Sequence, residues 1–247
     1  MGFLNRIFKK KVLPTADLSG LITDMHSHLI PGIDDGAATE EDSLNMITEL
    51  YDIGYRKLIT TPHIMSDHYK NTPDIILAGL KKIQNSLKNI GLPMQIEAAA
   101  EYYLDFEFEG KISTNDLLTF GDNYLLFELS YINEPDQLDA IIFKMRTEGY
   151  KPVLAHVERY PYWHNKYDKL EKLIDQGVLF QLNINSLSGQ YSPRVKKIAE
   201  GLIDKNMISF LGTDCHNMNY LNNTKKALVE PALHKLLQSG KLLNNTL

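Results

Sequence analysis

The sequence predicts an α/β protein built on a parallel sheet, and three observations carry that expectation. Short apolar or β-branched runs alternate along the chain with longer segments of helical period. A hydrophobic share of 43% and a charged share of 23% over 247 residues suit one folded domain with a sizeable core. No repeat or low-complexity tract interrupts the alternation. Strict β/α order gives a parallel sheet, open or closed. Seven units are compatible with a barrel one short of the usual eight, and an open doubly wound sheet is the alternative.

The strand candidates, in order, are Leu21 to Met25, Lys57 to Thr61, Gln95 to Ala100, Tyr124 to Leu129, Pro152 to Ala155, Leu179 to Asn183 and Ile208 to Gly212. Thr39 can cap a helix that runs through Leu50 and stops at Gly54, and Pro73 can open one that stops at Gly91. Pro135 similarly opens a segment ending near Gly149, and Ser192-Pro193 suits an N-cap followed by the first helical residue. Residues 1–20 read as a basic and apolar tail plus linker, and residues 21–247 as the folded domain.

A net charge of −5 argues against a nucleic-acid binder, so a protein of this composition that handles phosphate must supply positive charge locally. The single cysteine, Cys215, excludes an internal disulfide and favours a reducing compartment. No stretch is long and apolar enough to span a bilayer, and the start lacks the pattern of a signal peptide, so a cytoplasmic protein is expected. Phe3, Leu4, Ile7 and Phe8 interleave with Arg6, Lys9, Lys10 and Lys11, a mix that suits either a frayed terminus or weak contact with a membrane surface.

The metal-capable side chains fall at the C-terminal ends of the strand candidates: His26 and His28 after the first, then His63, Glu101, Glu128 and His156, and Asp214 and His216 after the seventh. In a barrel that end carries the active site, where residues from separate strands converge. Side chains two apart on a strand share a face, so His26-Ser27-His28 can offer both imidazoles to one ion. Imidazoles and carboxylates gathered from six strands cannot be buried together cheaply without cations. Asp34-Asp35-Gly36 can be a plain turn, but a carboxylate so close to His28 makes Asp35 a candidate ligand. His68, His164 and His234 match no strand end and read as structural or exposed. Cys215 lies between Asp214 and His216, where alternation turns its side chain to the opposite face, as a small buried hydrophobe.

These strings carry a family likeness. His26-Ser27-His28 with Pro31-Gly32-Ile33-Asp34-Asp35-Gly36, then Thr61-Pro62-His63, Ala100-Glu101-Tyr102-Tyr103, His156-Val157-Glu158-Arg159-Tyr160 and Thr213-Asp214-Cys215-His216 resemble the polymerase-and-histidinol-phosphatase (PHP) superfamily. Within it they are most similar to the CpsB/YwqE-type bacterial protein tyrosine phosphatases of capsule and exopolysaccharide operons. The resemblance runs from about Leu21 to the C-terminal helix and implies a distorted (β/α)7 barrel of the PHP fold with three metal ions, manganese by preference and iron, zinc or magnesium as alternatives. It places His26, His28, Glu101 and Asp214 on one ion, Asp35, His63 and His216 on a second, and Glu101, Glu128 and His156 on a third. It also implies an arginine a few residues after Asp214-Cys215-His216, where this chain reads Asn217-Met218-Asn219-Tyr220-Leu221-Asn222-Asn223. Arg159 is then the main phosphate-binding candidate, helped by Lys225 or Lys226, and Arg159, Asp214 and His216 are the candidate catalytic residues.

The implied reaction is in-line attack of a metal-activated hydroxide on a phosphotyrosine protein, such as the tail of a bacterial membrane tyrosine kinase, without a phosphoenzyme. A thiol mechanism needs an arginine six positions after the cysteine, and that position is Leu221. The alternatives are a small-molecule phosphatase such as a histidinol-phosphate phosphatase, and a noncatalytic phosphotyrosine-binding scaffold.

Overall fold

The structure is a computed structural model and describes residues 13–114 and 116–247. It is a mixed α/β fold in which a parallel sheet curls into a half-barrel. The strands are β1 (Thr23–Asp24), β2 (Lys57–Thr60), β3 (His63–Ile64), β4 (Gln95–Ala98), β5 (Glu101–Tyr103), β6 (Tyr124–Glu128), β7 (Lys151–Leu154), β8 (Leu179–Asn183) and β9 (Phe210–Gly212). The helices are α1 (Glu40–Asp52), α2 (Pro73–Ile90), α3 (Phe106–Ile112), α4 (Leu138–Thr147), α5 (Tyr167–Asp175), α6 (Ile184–Ser188), α7 (Pro193–Asp204), α8 (Met218–Ala227) and α9 (Pro231–Leu237).

Seven expected strands become nine because the second and third are each followed by a further short strand. Pro62 has no N–H to give to the ladder and separates β2 from β3, and Ala99-Ala100 separates β4 from β5. The hydrogen bonds resume across both gaps, Ala99 N to Thr60 O at 2.9 Å and Glu101 N to Pro62 O at 3.1 Å. The strands pair in the orders β1-β2-β4 and β3-β5-β6-β7-β8-β9, every pair parallel. Spatial order thus follows chain order with no reversal point, unlike a doubly wound sheet. Just past β1, a parallel bridge joins Ser27 to Cys215, with Asp214 N donating to His26 O (2.8 Å) and His28 N to Cys215 O (2.9 Å).

The helix ends follow local chemistry. Thr39 closes a capping box with Asp42 at the start of α1, Thr72 caps α2 with Pro73 in its first turn, and Gly91 ends α2 in the left-handed region. Ser192 caps α7 ahead of Pro193. Pro135 does not open a helix; it precedes α4, and its carbonyl accepts from Leu138 N at 3.2 Å.

Alternate strand residues feed two apolar layers. Met25, Ile59, Ala99, Leu126, Val153 and Phe210 form a small cluster with Phe120 and Ala155, while Leu58, Ile96, Leu125, Phe127 and Leu154 join the large core shared with the helices. Leu18 is buried in that core, and Ala16 N donates to Leu228 O, so this stretch ahead of β1 lies against the body. The basic and apolar tail, residues 1–12, lies outside the described residues. Among the described residues no helix is long and apolar enough to cross a membrane.

Candidate metal centre

The residues at the strand ends meet in one place. Three groups of donor atoms gather, each with its members within 4.8 Å of one another: His28, Asp35, His63 and His216; His26, His28, Glu101 and Asp214; and His63, Glu101 and Glu128. Glu101 is central. Its Oε2 lies 3.2 Å from His26 Nε2 and 3.2 Å from His63 Nδ1, and its Oε1 lies 3.0 Å from His156 Nε2. His156 falls outside the third group, where His63 takes its place, although His156 Nε2 is still 3.8 Å from Glu128 Oε2. Asp35, half exposed, reaches His63 and His216 at 3.5 and 3.4 Å.

The backbone is bent to make this convergence. His156 and Asp214, at the ends of β7 and β9, both take positive φ, 34° and 50°. Non-glycine residues held there are strained, and such strain concentrates at functional sites. At Gly36 a Cβ would come within 2.2 Å of His28 O, so only glycine lets the Asp34-Asp35-Gly36 turn fold back on the histidine strand.

A second ring of polar groups, missing from the sequence reading, orients the first. His28 Nδ1 meets Asp34 Oδ2 at 2.8 Å, leaving Nε2 toward the cluster. His26 Nδ1 meets Gln181 Oε1 at 3.0 Å, and that oxygen also accepts from His156 N at 2.7 Å. Gln181 Nε2 in turn donates to Asn183 Oδ1, whose amide donates to Asp214 Oδ2 at 2.7 Å. The signal was present: Gln181 and Asn183 are two apart on an otherwise apolar strand, so both amides share a buried face.

The electrostatics show what the cluster asks for. Burial opposes charge on His26, but Glu101 and Asp214 outweigh it and push the imidazole up to about 9. Burial likewise works against Asp34, yet His28 beside it pulls its carboxyl down to about 2. Glu101 and Asp214 are both held well below the usual carboxylate range by the surrounding imidazoles despite complete burial. Raised imidazoles beside lowered carboxylates form a charge pattern that bound cations also satisfy, and a nitrogen-and-oxygen donor set of this kind fits manganese, iron or zinc.

The cluster floors a cleft of ≈ 210 Å³ walled by Tyr69, Tyr131, Tyr220 and Met65. Among the described residues Arg159 is the one lysine or arginine that lines it. Lys225 is turned away to Glu49, and Lys226 to Asn223, so neither helps. His68 is exposed, as read from the sequence, and also lines the cleft, whereas His164 and His234 bond backbone carbonyls elsewhere. Cys215 is buried with its thiol 3.5 Å from Met46 Sδ, and burial pushes that thiol up, the opposite of a nucleophile.

A family model described as "Capsular polysaccharide synthesis, CpsB/CapC" matches residues 22–230. The chain belongs to the CpsB/CapC family. It is 29% identical over 207 residues to the tyrosine-protein phosphatase YwqE of Bacillus subtilis, covering 83% of this chain and 82% of the relative. To the tyrosine-protein phosphatase CpsB of Streptococcus agalactiae it is 26% identical over 202 residues, covering 79% and 83%. One solved chain, described under crystal structures of YwqE from B. subtilis and CpsB from Streptococcus pneumoniae as metal-dependent tyrosine phosphatases, superposes with a TM-score of 0.79 at 27% identity, covering 90% of this chain and 89% of the other. A histidinol phosphate phosphatase from Lactococcus lactis shares the fold at 14% identity, with a TM-score of 0.51 over 83% of this chain and 91% of the other.

Proposed function

We propose that this CpsB/CapC member is a metal-dependent protein tyrosine phosphatase. The observation that carries the reading is the meeting of three donor groups with one arginine in a single cleft. We assign His26, His28, Asp35, His63, Glu101, Glu128, His156, Asp214 and His216 as ligands for three ions, manganese by preference, on a distorted (β/α)7 barrel of the PHP fold. The backbone hydrogen bonds across the Ser27–Cys215 bridge support that closed form.

Bound cations would supply activated water and neutralise the phosphate. The chain's own residues do the rest. Arg159 places a donor over the cleft for a phosphoryl oxygen, and Asp214 and His216 sit beneath it, His216 fixed by Nδ1 on Asp214 O at 2.8 Å. The tyrosyl side walls suit an aryl leaving group, and a phenol of pKa about 10 departs with less protonation than an alcohol needs. No phosphocysteine is required, since Cys215 faces Met46.

The substrate assigned is a phosphotyrosine protein of polysaccharide synthesis, the tail of a membrane tyrosine kinase. The location assigned is the cytoplasm. The catalytic unit spans 21–247, and residues 13–20 strap onto it through Leu18. Turnover of a phosphotyrosine peptide and of histidinol phosphate, each with added manganese, tests the reading. Preference for the peptide is expected. Preference for histidinol phosphate would make the chain a small-molecule phosphatase, and turnover of neither would leave a binding scaffold.

A further inference from the structure

Arg159 leaves the short turn after β7 and lies against two tyrosine rings. Its guanidinium carbon is 4.7 Å from the ring centre of Tyr131 and 4.3 Å from that of Tyr191. Tyr131, from the loop after β6, lines the cleft; Tyr191, from the link between α6 and α7, does not. The short link holds Tyr191 in place, because Gly189 ends α6 in the left-handed region and Ser192 caps α7. Its hydroxyl accepts from Asn183 Nδ2 at 3.1 Å and donates to Asp214 Oδ2 at 3.4 Å. Tyr191 therefore touches both members of the Arg159–Asp214 pair, whose own contact is 3.3 Å.

Ring contacts restrain a guanidinium while leaving its in-plane N–H groups available. Among the described residues the one side-chain hydrogen bond from Arg159 goes to Asp214, so the remaining donors are spare for a ligand. An arginine on its flexible stem would otherwise lose rotamer freedom on gripping phosphate, and preorganisation removes that loss.

We propose that Tyr191 is a positioning residue: from outside the cleft it pre-sets Arg159, with Tyr131 as the second ring, to take a phosphoryl oxygen. This rests on the phosphatase reading. It also fits a site in which one arginine must do the gripping alone.

The test is calorimetric titration of inorganic phosphate into the manganese-loaded protein, alongside kinetics with a phosphotyrosine peptide. Tyr191→Leu should weaken phosphate binding and raise KM by about three- to thirtyfold at unchanged metal content. Tyr191→Phe keeps the ring and should recover most of that affinity. In an Arg159→Ala background, Tyr191→Leu should add nothing, because it acts through the missing arginine. Tyr191→Gln replaces the leucine variant if the latter fails to fold. Wild-type phosphate affinity in the ringless variants, or losses that multiply in the double variant, would overturn the proposal. A wild-type protein that neither binds phosphate nor hydrolyses the peptide would instead overturn the phosphatase reading.

Discussion

The two oxygens of Asp214 do different jobs. Oδ1 faces the imidazoles of His26, His28 and His216 at 3.3 to 3.5 Å, while Oδ2 is anchored by Asn183, Arg159 and Tyr191. Asp214→Ala and His156→Ala should each abolish turnover of a phosphotyrosine peptide in a protein that still folds, because the lost groups sit in the cleft and not in the apolar core. Full activity in either would move the centre elsewhere. Asp34 deserves the same test at a smaller scale. Its side chain is buried, holds His28 at 2.8 Å, accepts from His63 N at 3.2 Å, and lies outside the three donor groups. Asp34→Ala should therefore lower metal affinity and activity by roughly ten- to a hundredfold, read by metal titration. Cys215→Ser should keep most activity, since the thiol packs on Met46 away from the cleft; a dead variant with its metals retained would revive a thiol mechanism. The imidazoles were legible in the sequence because each follows an apolar strand run. Asp34 was not, because its partner lies six residues back and a turn aspartate looks the same with or without it.

At the scale of elements, strands and capped helices were readable where local chemistry decides them, as at Thr39, Pro73 and Ser192. What local pattern cannot show is how β1 and β9, far apart in the chain, are fastened together. Two buried side chains do this. Asp24 accepts from Thr213 N at 3.0 Å and Thr213 Oγ1 at 2.6 Å. Asn244, in the last turn of the chain, donates to Thr23 O and Leu211 O and accepts from Leu211 N at 3.0 Å. Its amide thus fills the gap in the ladder below the Ser27–Cys215 bridge. Asn244→Ala would leave several buried backbone groups without partners and should cost on the order of 2–4 kcal/mol in denaturant unfolding, with kcat little changed. A loss under about 0.5 kcal/mol would mean that the terminal turn does not hold the seam.

For the molecule as a whole, the net charge of −5 says nothing of a site whose charge balance is local. Without cations that balance rests on protons. Burial opposes charge on His26, but Glu101 and Asp214 raise it to about 9, against about 6.5 in an unfolded chain; His28 and His63 are raised in the same direction. A raised imidazole stabilises the fold fully below about pH 6.5, and its contribution is lost as pH climbs towards 9. His156, which burial and then Arg159 push down, has its effect below about 6.5, outside that window. Metal behaves oppositely, because imidazoles bind it only when deprotonated, so its hold tightens over the same range. Chelated protein should therefore lose stability between pH 7 and pH 9 while manganese-loaded protein keeps more of it, and the difference between their unfolding midpoints should widen with pH. Thermal unfolding at pH 7, 8 and 9, with manganese and with chelator, measures this directly. A difference that shrinks as the pH rises would mean that cations and protons do not compete for these imidazoles.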